Sequence, residues 1–318
     1  MTLSQTLRLK PSQAGFEQAS DLLRTGQLVS FPTETVYGLG ADARQGEAVA
    51  SIYATKGRPS FNPLIVHLAD QAATERYVTW SPKAEALAAA FWPGPLTLVL
   101  PLRDGHGLSS LVTAGLPTLA VRVPAHPAAR ALLRQFDGPL AAPSANPSGK
   151  ISPTRAEHVL AGLDGKIAAV LDDGPCGVGV ESTIVGLASD PVLLRPGGLA
   201  SEEIEAMLGR ELTRPEAGDI SAPGMLTSHY APGAAVRLNA TEAAPGEVLL
   251  GFGPVAGDLS LSPSGNLTEA AARLFDCLHQ LDRMGQPIAV APIPQTGLGR
   301  AINDRLVRAA APRGHSPG

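Results

Sequence analysis

The sequence predicts an α/β fold arranged in two domains, and three observations predict it. Short apolar strands alternate with helical segments through residues 1–212, residues 213–234 show no sustained period, and a second α/β pattern occupies residues 235–318. Alternation at this density is typical of a sheet layered with helices. Strict strand-helix-strand order is lost after residue 182, which favours a mixed sheet over a wholly parallel one. We therefore expect domains at 1–212 and 235–318, joined by a linker at 213–234.

The elements of the larger domain follow from capping residues, apolar runs and helix-breaking residues. Ser12 precedes an apolar-periodic run that ends near Gly26, which predicts a first helix. Further helices are predicted over residues 47–55 and 83–91, the second closed by a Trp-Pro-Gly turn. Apolar runs of strand length, bounded by turn residues, lie at residues 28–31, 64–69, 96–102, 118–124, 140–142, 167–172, 182–187 and 191–195.

One helix of the smaller domain has the clearest local signature. Asn266 is a typical N-cap, and Glu269 stands three residues later, as in a capping box. Apolar residues between positions 267 and 281 form one face, and Gly285 ends the helix. The other predicted elements of this domain are strands over residues 247–253 and 287–293 and a helix over residues 303–311.

Composition and charge exclude several classes of protein. Hydrophobic residues make up 44% of the chain and charged residues 17%, so a sizeable core is expected rather than global disorder. No run of about 18–20 apolar residues occurs, and the N-terminal segment lacks an apolar signal core, so we expect neither a membrane span nor a signal peptide. A net charge of −4 argues against bulk electrostatic binding of nucleic acid. The two cysteines form no CxxC pair, which favours a reducing, cytoplasmic location.

Common enzyme motifs do not occur in this sequence. It contains no GxxxxGK[ST], no HExxH and no GxSxG, and its seven histidines do not cluster at metal-ligand spacing. What remains is a set of polar segments, several of which leave apolar strands. These segments are the candidates for a functional site.

The first two candidate segments combine hydroxyls, cations and glycines. Residues 30–42 place two threonines, a carboxylate and a tyrosine in a turn beside glycines, although a capped turn explains them equally well. Lys56 and Arg58 suit a phosphate group as a point charge and a bidentate fork. Favourable cations at a helix C-terminus are the alternative interpretation. His67 is either a ligand or a core histidine.

Three further segments carry chemistry. Residues 142–154 are rich in small hydroxyls that can cradle a phosphate or a ribose, or they form a polar surface loop. Residues 172–187 are glycine-rich; Cys176 there has no neighbouring base and is interpreted as structural. His229 and Tyr230 lie within the predicted linker, which suggests either a lid or a hydrophobic anchor for the linker.

Taken together, these segments resemble one family. PTETVYGLGADA, KGRP…NPLIVH, AVRVP, APSANPSG, ESTIV and LRPG, in this order, resemble the YrdC-like threonylcarbamoyl-AMP synthases. SHYAPG followed by GLGRAINDRLVRAA resembles their long, two-domain form, so the resemblance covers nearly the whole chain. It implies a twisted open mixed sheet with helices and a concave cleft, followed by a smaller C-terminal α/β Rossmann-like domain.

The resemblance also implies a reaction and its partners. L-threonine, bicarbonate and ATP would give L-threonylcarbamoyl-AMP and pyrophosphate, with Mg²⁺ expected to accompany the ATP. A separate threonylcarbamoyl transferase would then pass the product to tRNA. Cations near the phosphates would offset the repulsion between the carbamate and the triphosphate.

Roles for individual residues follow from the resemblance alone. It implies catalytic roles for Lys56 and Arg58, which we expect on an exposed rim of the cleft. It implies threonine contacts for Thr35, His67, Arg122, Ala142 and Ser182. It implies nucleotide contacts for Arg58, Asn62, Thr118, Ser144, Asn146, Ser152, Arg195 and Tyr230. No metal-ligating residue is predicted.

Two other functions are compatible with the sequence. The same fold could present a basic concave face as an RNA-binding or ribosome-associated module without this activity. A carbamoyl-transfer domain that uses carbamoyl phosphate, as in related hydrogenase-maturation proteins, is the third hypothesis. Those proteins carry zinc modules, which two cysteines cannot form. The synthase is therefore the leading hypothesis.

Overall fold

A computed structural model describes residues 5–214 and 229–312 of the chain. Its strands are β1 (Leu7–Leu9), β2 (Val29–Phe31), β3 (Gly38–Asp42), β4 (Ile65–His67), β5 (Leu96–Pro101), β6 (Thr118–Arg122), β7 (Leu140–Ala141), β8 (Ala169–Leu171), β9 (Thr183–Gly186), β10 (Val192–Arg195), β11 (Val236–Arg237), β12 (Val248–Gly251), β13 (Leu259–Ser260) and β14 (Ile288–Val290). Its helices are α1 (Gln13–Arg24), α2 (Gly46–Lys56), α3 (Pro82–Phe91), α4 (Ser110–Thr113), α5 (Pro127–Phe136), α6 (Ala156–Leu163), α7 (Ser201–Leu208), α8 (Leu267–Asp282) and α9 (Leu298–Ala310).

The first ten strands form one mixed sheet, as the sequence predicts. Its strand order is β1-β8-β2-β3-β7-β4-β6-β5-β9-β10. Strand β4 runs parallel to β6, whereas β7 runs antiparallel to both β3 and β4. Strands β7, β4 and β6, which carry or precede several candidate residues, are therefore neighbours at the centre of the sheet, whereas Arg195 ends β10 at its edge.

The last four strands form a separate, wholly parallel sheet in the order β11-β14-β12-β13. Helix α8 connects β13 to β14 and buries its apolar face in the core of this domain. Asn266 caps α8 by accepting from the amides of Thr268 and Glu269, as expected. The second bond of a capping box, from the Asn266 backbone amide to the Glu269 carboxylate, is absent at this cap. Both groups bond instead to the Ser262 hydroxyl.

Strand β3 was not predicted, because its sequence GLGAD resembles a turn. It pairs with β2 on one side and β7 on the other, so it lies inside the sheet. Gly40 is required there, since a Cβ atom would lie 2.9 Å from the Phe31 ring and 3.1 Å from the Val29 carbonyl oxygen. Strands β1, β11 and β13 and helices α4 to α7 were likewise not predicted.

A buried apolar cluster joins the two sheets into one molecule. It contains Val36, Ile151 and Val180 from the larger domain together with apolar residues of α8 and α9. Gly179 packs so closely against α8 that a Cβ atom would lie 2.4 Å from the Ala271 carbonyl oxygen. The smaller domain is therefore docked directly against the loops of the larger one.

The boundaries at 212 and 235 stay predictions, and most of the expected linker, residues 215–228, lies outside the described residues. The sheets of the two domains fall within residues 7–195 and 236–290. Among the described residues, no helix combines the length and the apolar character needed to cross a membrane.

Candidate active site

A cavity with about 570 Å³ of empty space, counted to its open mouth, lies on one face of the larger sheet. Its walls come from the β2–β3 loop, from β4, from the end of β6 and from the loops that follow β7 and precede β9. The structure brings together at this cavity Thr35, Arg58, His67, Arg122, Ala142, Ser144, Ser182, Arg195 and Tyr230. These are residues that the sequence predicts for both the threonine and the nucleotide.

One end of the cavity is built around Arg122. Its Nη1 donates to the Thr35 hydroxyl at 2.9 Å, and its Nη2 donates to Glu34 Oε1 at 2.6 Å. The other Glu34 oxygen accepts from the amides of Ala125 and His126, just ahead of α5. Glu34 therefore fixes the plane of a guanidinium that is 3% exposed. The sequence pattern of residues 30–42 contains this carboxylate but does not indicate its role.

His67 lies beside Arg122, because these two residues are register partners in the parallel β4–β6 pair. Its ring is buried, packs edge-on against Phe31 at 6.1 Å, and its Nδ1 has no hydrogen-bond partner among the described residues. Burial, helped by the charge of Arg122, lowers the pKa of His67 to about 3. A neutral imidazole with an unpaired nitrogen thus faces the cavity, as expected of a ligand-binding histidine.

Two further arginines, Arg58 and Arg195, line the same cavity. Arg58 donates to the carbonyl oxygens of Asn62 and Pro63 at 3.3 and 2.9 Å. Arg195 donates to the Ser182 carbonyl oxygen at 2.8 Å. Burial lowers the pKa of Arg58 to about 10, and the charge of Arg195 contributes to the shift. Arg58 and Arg195 are buried like charges that repel each other, so a bound anion would stabilise both guanidinium groups.

Lys56 does not line the cavity, although it ends α2 close to Arg58. Its Nζ donates to the carbonyl oxygen of Ser144 at 2.6 Å and to that of Asn146, and it is 4% exposed. Burial, with a contribution from Arg58, lowers its pKa well below the ordinary value. The expectation that Lys56 and Arg58 lie on an exposed rim is wrong, since both side chains are buried.

Asn62 and Asn146 are buried and lie just outside the cavity lining. Neither side-chain atom of Asn62 has a partner among the described residues. The Nδ2 of Asn146 donates to the carbonyls of Pro147 and Lys150, which folds its own loop, and its Oδ1 is unpaired in the described chain. Unpaired buried polar atoms carry a free-energy cost, so Asn62 is a strong candidate for a ligand contact.

Ser152 and Thr118 also lie outside the lining. The Ser152 hydroxyl donates to Glu181 Oε1 at 2.5 Å. Thr118 begins β6, at the opposite end of that strand from Arg122. In the parallel β4–β6 pair, Ile65 faces Ala120. The same register, continued two residues toward the start of each strand, places Thr118 beside Pro63, which lines the cavity. Thr118 is thus placed toward the Arg58 end rather than the Arg122 end.

Within the described residues of the predicted linker, Tyr230 and its neighbour His229 reach the cavity. Tyr230 is 1% exposed, adopts φ = 62°, and lines the cavity beside His229. Its ring lies 5.6 Å from the Phe275 ring of α8 and 5.2 Å from the Arg305 guanidinium of α9. Arg305 was missed by the sequence analysis, because a single arginine in an amphipathic helix carries no signal of burial.

This fold and this cavity define an α/β enzyme whose site is lined by three buried arginines, which suit carboxylate and phosphate groups. Residues 21–197 match the Sua5/YciO/YrdC family model, described as "Telomere recombination". Residues 199–311 match the model described as "Threonylcarbamoyl-AMP synthase, C-terminal domain". The chain belongs to this family, in its two-domain form, and the predicted family and fold class are confirmed.

Relatives and a solved structure agree with this assignment. The threonylcarbamoyl-AMP synthase of Bacillus subtilis (strain 168) is 44% identical over 337 residues, covering 97% of this chain and 96% of the relative. The threonylcarbamoyl-AMP synthase of Pyrococcus abyssi is 40% identical and covers 98% of this chain and 99% of its own. The crystal structure of P. abyssi Sua5 complexed with L-threonine superposes with a TM-score of 0.88 at 40% identity, over 96% of this chain and 97% of that one.

Proposed function

We propose that this chain forms L-threonylcarbamoyl-AMP and pyrophosphate from L-threonine, bicarbonate and ATP. One observation carries the proposal: one cavity is lined by Arg122, the register partner of His67 at the end of β4, by Arg58, which bonds to the Pro63 carbonyl ahead of β4, and by Arg195. Arg122 lies beside His67 at the end of β4, whereas Arg58 bonds to the Pro63 carbonyl ahead of β4, so an amino acid and a phosphate chain could lie in line along this strand. The names of the relatives, and the threonine complex of the P. abyssi protein, support the same assignment.

The Arg122 end is proposed to hold threonine. Its guanidinium suits a carboxylate, because the fork of donors pairs with two oxygens. The nearby hydroxyls of Thr35 and Ser182, the Nδ1 of His67 and the backbone at Ala142 surround the rest of the amino acid. A site that hydrogen-bonds a substrate hydroxyl rejects analogues that lack it.

The Arg58 end is proposed to hold the nucleotide. Arg58 and Arg195 would bind the phosphates and stabilise the charge that develops on departing pyrophosphate. Ser144 lines this part of the cavity, and Lys56 holds the Ser144 and Asn146 carbonyls in place. Asn62 and Thr118 would contact the nucleoside, with Asn146 and Ser152 supporting the loop. Lys56 thus acts by positioning the loop in this geometry.

The reaction proceeds by positioning and electrostatics in this proposal. The neutral threonine amine attacks bicarbonate, and loss of water gives the carbamate; a carbamate oxygen then attacks the α-phosphate as pyrophosphate leaves. Cys176 is buried outside the cavity lining, and burial raises the pKa of its thiol, so it is not a nucleophile here. Tyr230 would close the site over the nucleotide.

Mg²⁺ is proposed to enter on the triphosphate. Within the described part of the chain, no group of three or more His, Cys, Asp or Glu side chains could hold a metal ion. Glu181 lines the cavity, but its two oxygens already accept from Ser152 and Arg305. The described residues therefore offer no dedicated metal site, and no step is assigned to the ion.

The product is proposed to pass in the cytoplasm to a separate threonylcarbamoyl transferase that modifies tRNA. The decisive assay measures pyrophosphate release from ATP with threonine and bicarbonate supplied together or singly. We expect release only with both. Salt-dependent tRNA binding without threonine-dependent ATP turnover would reject the synthase in favour of an RNA-binding module.

A further inference from the structure

Arg305 is a fully buried cation of the smaller domain that reaches the active-site loops of the larger one. It is 0% exposed, and its Nε donates to Glu181 Oε2 at 2.8 Å. Its Nη1 donates to the Pro196 carbonyl oxygen, also at 2.8 Å. Glu181 immediately precedes Ser182, and Pro196 immediately follows Arg195, so both contacts fall next to proposed substrate-binding residues.

The pairing with Arg305 determines the charge balance of the nucleotide end. Glu181 lines the cavity close to the place proposed for the phosphates. Burial opposes ionisation of Glu181, but the charges of Arg305 and Arg195 outweigh burial and lower its pKa. Without Arg305, an ionised Glu181 would repel the triphosphate and attract Arg195.

Arg305 also supports the residue that closes the cavity. Its guanidinium lies 5.2 Å from the centre of the Tyr230 ring, within the range of a cation–π contact. The Phe275 ring contributes to the same support, with its centre 5.6 Å from that of Tyr230. The position of Tyr230 therefore depends on the smaller domain.

We propose that Arg305 is a positioning residue through which the C-terminal domain completes the nucleotide end of the active site. It neutralises Glu181 and supports Tyr230, so ATP binding depends on the docked domain. This inference rests on the proposed function, because it assigns Arg305 to the ATP end of that same site.

The test compares Arg305→Gln, Glu181→Gln and the double variant in the full chain, with KM measured separately for ATP and threonine. In Arg305→Gln, loss of a bond to a charged group is expected to raise the KM for ATP roughly ten- to a hundredfold. The KM for threonine should stay within about threefold of that of the unmodified chain. The double variant should recover most of the loss, because the Glu181 carboxylate is removed together with its partner, while Asp304, which also accepts from Arg305, keeps its bond from Arg308. Arg300→Gln is the matched control: Arg300 lies on the same helix and contacts Ser201 and Glu202 of the larger domain.

A pH series separates electrostatic positioning from a purely structural role. In Arg305→Gln the KM for ATP should fall as acidification neutralises Glu181, whereas the double variant should not show this change. An unchanged KM for ATP in Arg305→Gln, or equal rises for ATP and threonine, would overturn the inference. If Arg305→Gln does not fold, the double variant provides the test instead. A tenfold rise in the KM for ATP of the double variant would then overturn the inference. Absence of threonine-dependent pyrophosphate release in the unmodified chain would instead reject the proposed function.

Discussion

The two ends of the cavity handle buried positive charge in opposite ways. At the threonine end, Arg122 is paired with Glu34, whose other oxygen is held by backbone amides ahead of α5. At the nucleotide end, Arg58 donates to carbonyl oxygens, and its pKa is lowered by burial and by Arg195. A guanidinium paired with a carboxylate suits a zwitterion of no net charge, whereas Arg58, which donates to carbonyl oxygens, suits a polyanion. In the proposed function, this difference would let one cavity bind an amino acid and ATP side by side.

The largest effect is expected from Arg58→Gln. Removing this cation should lower kcat/KM for ATP by roughly 10²–10³-fold, as for loss of one preorganised transition-state donor. Steady-state pyrophosphate release measures the change. Arg58→Lys is the matched control, since it keeps the charge, and it should retain more activity. Activity of Arg58→Gln within threefold of the unmodified chain would show that this end does not hold the phosphates.

Arg122→Gln should affect binding of threonine rather than binding of ATP. We expect the KM for threonine to rise roughly ten- to a hundredfold, because a charge-assisted contact is lost, while the KM for ATP changes little. Separate substrate titrations distinguish the two constants. A larger change in the KM for ATP than in the KM for threonine would contradict the assignment of threonine to Arg122.

Lys56→Met should weaken the nucleotide end through its loop. The buried carbonyls of Ser144 and Asn146 would lose their donor, so the free energy of unfolding should fall by about 1–3 kcal/mol. Urea denaturation measures this value. Lys83→Met, on the exposed face of α3, is the control and should unfold like the unmodified chain. Equal midpoints for the two variants would contradict the buried role of Lys56.

The smallest effect concerns pH and the threonine end. The folded-state pKa of His67, about 3, lies below its ordinary value of 6.5. Between these values the unfolded chain binds a proton that the folded chain does not, so stability falls as pH falls. His67 should contribute a slope of up to about 1.4 kcal/mol per pH unit below pH 6.5. Urea midpoints from pH 7 to 5 should decline less steeply in His67→Gln, and identical declines would contradict its neutral, buried state.

Local patterns in the sequence predicted most of the elements and many of the site residues. Ser12 and Asn266 cap helices where expected, and the apolar runs became strands. Strand β3 could not be predicted, because its glycines are required by packing against Phe31 rather than by a turn. The capping-box interpretation of Glu269 failed for a similar reason, since a tertiary contact with Ser262 replaced the local bond.

Burial of charge was the part of the site that the sequence could not reveal. Lys56 and Arg58 resemble exposed cations at a helix end, and only the fold places loop carbonyls around them. The Glu181–Arg305 pair joins residues 124 positions apart across two domains, so no local pattern indicates it. Chemistry that depends on long-range pairing is visible only in the folded chain.

The most direct test is a crystal structure of the chain with L-threonine and a non-hydrolysable ATP analogue. The two-ended cavity predicts the threonine carboxylate at Arg122 and the phosphates at Arg58 and Arg195, with Tyr230 over the nucleotide. A nucleotide bound outside this cavity, or phosphates at Arg122, would contradict the account.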